Sequence, residues 1–192
     1  TEARATNIWS VPASGGDPVQ LTTEGGSGPQ WIENGTKIAY IAGSKIMVMN
    51  PDGSGKKEIT GLEEYEVLSF SPAGDKVYFT RRIKLDQTAN EKYGLPNAKV
   101  RIIDDLMYRH WDYWHDYSYS HLFTASFNGS AISNEKDIME GQRFDTPDAP
   151  WFDEADISWS PDGKYIAYAC KKLTGKAYAL STNTDIYLYD IT

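Results

Sequence analysis

Three ten-residue stretches of the chain align without a gap: WIENGTKIAY at 31–40, FSPAGDKVYF at 70–79 and WSPDGKYIAY at 159–168. Each opens on an aromatic, Trp31, Phe70 or Trp159, and carries glycine four residues later, at Gly35, Gly74 or Gly163. Each then places apolar residues two apart: Ile38 and Tyr40, Val77 and Phe79, Ile166 and Tyr168. Period-two spacing marks a strand with one face in a core. Pro72 and Pro161 preset φ at the first corner of a turn, and glycine suits the left-handed position after a type I turn. Each stretch is therefore expected to be a hairpin. The three aromatics are expected at equivalent buried positions, and the three glycines at positive φ.

A further apolar run follows each hairpin, IMVM at 46–49, LFTA at 122–125 and IYLY at 186–189, while IWSV at 8–11 precedes the first. Turn sequences such as NPDGSG and FNGS come next, then short strands such as KEIT at 57–60. The repeating unit is four antiparallel strands. Trp31 and Phe70 are 39 residues apart, which matches the period of about 40 residues of a propeller blade. Phe70 and Trp159 are 89 apart, so a further stretch is inserted within one blade. The fold class is all-β: a partial β-propeller of four-stranded antiparallel blades with an inserted arm. The expected division is a half blade over 1–28, a blade over 29–62, a blade over 63–140 with the insertion at about 84–120, and the start of a blade over 150–192. Blades bury their faces against neighbours, and closed propellers need at least four. The chain is thus expected to be a piece of a longer one.

Composition agrees with this fold. Aromatics are 13 % of the chain and glycine occurs 16 times, a mix that suits pleated strands and tight turns. The net charge of −8 leaves no surplus to neutralise phosphates, so neither nucleic acid nor an anionic membrane is an expected partner. No run of 18 apolar residues exists, and Thr1 does not begin a signal peptide. The lone Cys170 lies in YIAYACKK and is expected to be a small buried hydrophobe.

WSPDGKYIAY resembles the repeat shared by TolB-like proteins and the propellers of the prolyl oligopeptidase family. The inserted DDLMYRHWDYWHDYSYSHLF at 104–123 narrows this, because it resembles the segment of dipeptidyl peptidase V-like and acylaminoacyl-peptidase-like members. The resemblance implies a serine exopeptidase with an N-terminal propeller and a C-terminal α/β-hydrolase domain. It also implies a periplasmic or secreted setting, while a single cysteine leaves the cytoplasm open. No G-x-S-x-G nucleophile elbow occurs in the chain, so no catalytic residue is assigned, and the chain alone is expected to be inactive.

Candidate site residues fall in two places. His110, Asp112, His115, Asp116 and His121 cluster in the arm, yet their spacing matches no zinc signature. No metal and no cofactor are assigned. The aromatic interleaving suits a lid or an interface, with Trp111 and Trp114 walling a substrate cavity. The second place is DAPWFDEADISW at 148–159. A desolvated carboxylate can hold a peptide's α-ammonium, so Glu154 or Asp153 is the candidate anchor, with Trp151 and Phe152 as apolar walls. The alternative there is an ordinary solvated loop. Arg81, Arg82 and Lys84 are read as a strand end or salt-bridge partners rather than a carboxylate clamp, and Asp52 as a turn residue rather than a calcium ligand. The NGT and NGS sequons at Asn34 and Asn128 are read as turns.

The chain is therefore expected to be the non-catalytic propeller region of a dipeptidyl or acylaminoacyl peptidase. It would gate access and help bind a peptide with a free or acylated N-terminus. Its expected partners are that peptide and a C-terminal catalytic domain, with a homo-oligomer as a further candidate. The alternatives are a TolB-like protein-interaction module and a propeller that binds carbohydrate through its aromatics.

Overall fold

The computed structural model describes residues 6–95, 97–103, 106, 108–151 and 153–192. In chain order the strands are β1 (Trp9–Ser10), β2 (Val19–Gln20), β3 (Ser27–Ile32), β4 (Lys37–Ala42), β5 (Lys45–Met49), β6 (Lys57–Ile59), β7 (Leu68–Phe70) and β8 (Lys76–Lys84). An arm follows, with helix α1 (Ala89–Tyr93) and strands β9 (Arg109–His110) and β10 (Tyr113–Trp114). Then come β11 (Ser118–Phe127), β12 (Ile132–Asp137), β13 (Ile157–Trp159), β14 (Tyr165–Cys170), helix α2 (Gly175–Leu180) and β15 (Asp185–Asp190). The strands form sheets ordered β3-β4-β5-β6, β12-β11-β8-β7 and β13-β14-β15, with β1-β2 and β10-β9 as two-stranded pairs. The architecture is all-β, with two four-stranded antiparallel propeller blades, a further three-stranded sheet and an inserted arm.

The chain packs as two compact units. The first comprises Thr1–Glu63, Leu68–Tyr78 and Thr124–Glu135. Its core joins Ile8 and Leu21 to Ile38, Tyr40 and Met49. The alternation read from the sequence explains this choice, since Ile38 and Tyr40 share one face of β4. Burial in β4 goes further, because Ala39 on the other face is buried as well, as befits a strand covered on both sides. Gln30 of β3 reaches the edge strand β7: its amide nitrogen donates to Leu68 O at 2.8 Å and its oxygen accepts from Phe70 N at 3.0 Å. A side chain thereby satisfies two backbone groups that an unpaired edge would expose.

The three hairpins share their glycine conformation, with φ of 85° at Gly35, 71° at Gly74 and 69° at Gly163. They differ in how the turn is held. Ser71 Oγ accepts from the N–H groups of Asp75 and Lys76, and Ser160 Oγ from that of Tyr165. The corresponding residue of the first hairpin is Ile32, which has no hydroxyl. Its turn is a 3-10 turn over Glu33–Gly35, closed by Thr36 N–H and Oγ on Glu33 O. Burial of the leading aromatics departs from expectation here. Phe70 is buried edge-on to Phe127 at 5.0 Å, whereas Trp31 is 58 % exposed. Neighbouring strand residues point to opposite faces, and in the first hairpin it is Ile32 that is fully buried.

The second unit comprises Glu64–Val67, Phe79–Phe123 and Lys136–Thr192. Phe79 stacks on Phe123 with centroids 5.1 Å apart, and the Arg81 guanidinium lies over both rings. His121 belongs to this core: it is fully buried, with Nδ1 2.7 Å from Asp137 Oδ2 and Nε2 2.8 Å from Gln142 O. Thr146, also fully buried, is bonded to both β11 and β14. Its N–H donates to Ser120 O at 2.8 Å and its hydroxyl to Ala169 O at 2.7 Å.

Cys170 closes β14 without solvent exposure, and burial pushes its thiol up to about 11. Thiolate is the reactive form, so at pH 8 iodoacetamide should leave the folded chain unmodified over hours and label it fully in denaturant. Intact-mass analysis reads the result, and rapid native labelling would contradict the burial of β14.

Candidate functional site

The arm leaves β8 at Lys84 and returns at Ser118. Its first element, α1, is set by a capping box in which Thr88 Oγ1 accepts from Glu91 N–H and the Glu91 carboxylate accepts from Thr88 N–H. Lys84 also binds Glu91, and these partners hold the Glu91 carboxyl down at about 2. At the base, Leu85 N–H donates to Tyr117 O. Arg143 grips Asp86 with two bonds of 2.7 Å, which ties the arm to the segment 143–150. At the arm's centre Trp114 stacks on Tyr108 with centroids 5.9 Å apart, and the Arg101 guanidinium sits 4.4 Å from its ring.

Arm, segment 143–150 and α2 enclose a cavity of about 450 Å³ within the second unit. That volume lies in the range of small-ligand pockets. Ile102, Ile103, Tyr113 and Trp114 supply apolar wall from the arm, and Tyr178 from α2. Arg82 enters from β8, and Asp145 and Asp148 from the segment 143–150. Asp145 Oδ1 accepts from Ser120 N–H at 2.8 Å, and Asp148 Oδ2 accepts from the Thr184 hydroxyl at 2.6 Å. Burial pushes the Asp145 carboxyl above its usual range, against the pull of Ser120 N–H, Arg82 and His115. Burial likewise holds the His115 imidazole below its usual value. Its Nδ1 accepts from Tyr117 N–H at 3.1 Å, so the neutral ring carries its proton on Nε2. Tyr178 is pushed up to about 12, by burial first and then by the charges of Asp148 and Asp145.

Of the residues singled out from the sequence, Trp114 lines this cavity. Trp111 and Trp151 are 73 % and 75 % exposed and meet edge-to-face at 6.1 Å. Two stretches read separately in the sequence thus come together, each tryptophan being adjacent in the chain to a lining residue, His110 or Pro150. Asp153 and Glu154 are exposed, and the Asp153 carboxylate accepts from Ala155 N–H at 2.9 Å, capping the short turn Glu154–Asp156. Phe152 lies outside the described residues. The histidine cluster divides: His110 and His115 line the cavity, while His121 is held in the core. Among the described residues no three or more His, Cys, Asp or Glu side chains converge on a possible metal position. Asp145, Asp148 and Tyr178 were missed. RFDTPDAP at 143–150 has neither strand nor helix periodicity, so nothing in the sequence singled out its two carboxylates, and nothing marked Tyr178.

No family model matches the chain. Proteins named dipeptidyl-peptidase 5 are similar along it. That of Porphyromonas gingivalis is 39 % identical and aligns with 100 % of this chain and 29 % of its own length. That of Porphyromonas endodontalis is 38 % identical, over 97 % of this chain and 28 % of its own length. That of Arthroderma benhamiae is 28 % identical over 81 % of this chain. The chain spans less than a third of the length of these relatives. Among solved structures, an oligogalacturonate lyase in complex with manganese superposes with a TM-score of 0.51 at 12 % identity, over 97 % of this chain and 42 % of that one. The β-propeller domain of the trilobed protease from Pyrococcus furiosus covers 96 % of this chain and 61 % of its own, with a TM-score of 0.43 at 14 % identity.

Proposed function

From a chain that is homologous to part of dipeptidyl-peptidase 5 and is built of propeller blades, we propose the non-catalytic propeller region of a serine exopeptidase. Its role is to restrict access to a catalytic domain and to help hold the N-terminal end of a peptide. The observation that carries this reading is the peptide-sized cavity walled jointly by the aromatic arm and the segment 143–150. The proposed binding residues are Trp111, Trp114, Trp151 and Phe152 as walls and Asp153 and Glu154 as rim carboxylates, to which Asp145 and Asp148 are added from the cavity itself. A buried carboxylate that lacks solvation gains most from an incoming ammonium.

The test is binding of a dipeptide amide with a free amine, beside its N-acetylated form, followed by tryptophan fluorescence and calorimetry. The free amine should bind more tightly by about 10- to 100-fold, the equivalent of one charge-assisted hydrogen bond. The reverse order would assign the acylated substrate class, and no binding of either would sink the reading. Asp145→Asn should abolish the preference for the free amine.

The same substitution has a predictable effect on stability. The folded Asp145 carboxyl titrates above its unfolded value. Its stabilising contribution is therefore full below the unfolded value and is lost as pH rises through the folded one. At pH 7 the variant keeps an acceptor for Ser120 N–H without the buried charge. Its Tm should equal or exceed that of the parent, with the gap narrowing towards pH 4.

A further inference from the structure

His110 stands out among the cavity residues. Its Nε2 is buried and has no hydrogen-bond partner among the described residues. Buried polar atoms are nearly always satisfied, so an orphan in a cavity wall is met by water or by a bound group. The ring is tilted against Trp111 with centroids 5.0 Å apart and edge-on to Tyr113 at 5.8 Å.

The hairpin that carries it breaks a local rule. His110 pairs with Tyr113, leaving Trp111 and Asp112 as the two-residue turn. Such turns favour Asn or Gly at their first position, where φ is positive. Here Trp111 takes it, at φ 44°. Backbone strain of this kind gathers at binding sites.

The surroundings state what the missing partner is. On the arm, Arg101 and Arg109 both lie over Trp114, so the field there favours an electron-rich group. The cavity's carboxylates, Asp145 and Asp148, come from a different segment and line the same cavity as His110, Tyr113 and Tyr178. A ligand fitting both walls has a cation towards the carboxylates and an oxygen acceptor towards His110. The N-terminal residue of a peptide has that pattern, with its ammonium followed by a carbonyl.

We propose that His110 is a specificity-determining residue whose Nε2–H donates to the first carbonyl oxygen of a peptide bound by its amine in this cavity. This deepens the peptide-binding reading and rests on it. The ammonium lies towards Asp145 and Asp148, and the carbonyl towards His110 on β9. The first side chain then faces the apolar wall of the arm.

The full chain is titrated with valyl-phenylalanine amide and with its analogue in which the first carbonyl is a thioamide, a weaker acceptor. His110→Phe should lower affinity for the oxo ligand by about tenfold, and His110→Gln, whose amide N–H can still donate, should recover most of it. The thioamide should bind the parent chain about fivefold more weakly than the oxo form, and both forms should bind His110→Phe alike. On saturation the His110 imidazole resonances should shift. Circular dichroism confirms that the variants are folded. If the oxo ligand binds the parent and His110→Phe equally while Asp145→Asn weakens it, this inference is overturned and the peptide reading stands. If the ligand does not bind the parent at all, both fall.

Discussion

Gly61→Ala should destabilise the chain by about 3 kcal/mol or more in urea unfolding. Gly61 has φ of 91°. An alanine Cβ there would stand 2.1 Å from Ile132 O, far inside contact distance, and the obstacle is backbone rather than a side chain that can swing away. The positive φ adds about 1–3 kcal/mol of strain for a residue other than glycine. Relief requires residues 60–61 to move from 130–132. That movement would break the bonds of Thr60 N–H to Ser130 O at 3.1 Å and of Ile132 N–H to Thr60 O at 2.8 Å, each contributing about 1 kcal/mol. Gly35→Ala is the control. Its φ is also positive, yet its added Cβ would meet nothing within 4 Å, so only strain remains. If both variants unfold at the same urea concentration, the close approach at Gly61 is wrong.

Phe79→Ala should cost about 3–5 kcal/mol, the range for a large aromatic deleted from a packed core. Phe79 is fully buried in β8 and stacks on Phe123 with planes 10° apart. Its removal takes away the face on which the Arg81 guanidinium rests at 5.0 Å. Phe79→Leu preserves most of the volume and should cost under about 1.5 kcal/mol. The two midpoints in urea, with equal slopes, decide the matter. A loss below about 1 kcal/mol for the alanine variant would mean that the ring is not part of the cooperative core.

The hairpins were legible because their signals are local. A turn glycine and period-two apolar spacing act within ten residues, and the positive φ values at Gly35, Gly74 and Gly163 follow from them. The exposure of Trp31 was not legible, since which face of β3 is covered depends on residues far along the chain. The histidines show the same limit. His110, His115 and His121 are close in sequence, but His121 is held by Asp137 and Gln142, whose positions no spacing rule connects to it. The arm was visible as an interruption of the repeat, and its aromatics pointed to a cavity or an interface. The cavity's carboxylates were not visible, because RFDTPDAP has neither strand nor helix periodicity and reads as a loop. Helix α2 escaped for a similar reason: it is six residues long and its Thr174 cap makes no side-chain bond.

The arm joins β8 to β11, which are hydrogen-bonded neighbours in the middle of their sheet. Its two ends are therefore held together by the blade itself, whatever lies between them. Closing a chain segment whose ends are already fixed grows costlier only with the logarithm of its length, about 0.6 kcal/mol per doubling. Expanding a four-residue turn into the stretch 85–117 takes about three doublings, so roughly 2 kcal/mol, less than the single Phe79 ring contributes. Blade and arm can thus change on separate schedules. A different arm, of another length and another set of aromatics, can be grafted between Lys84 and Ser118 to reshape what the cavity admits, while the blade beneath keeps its register.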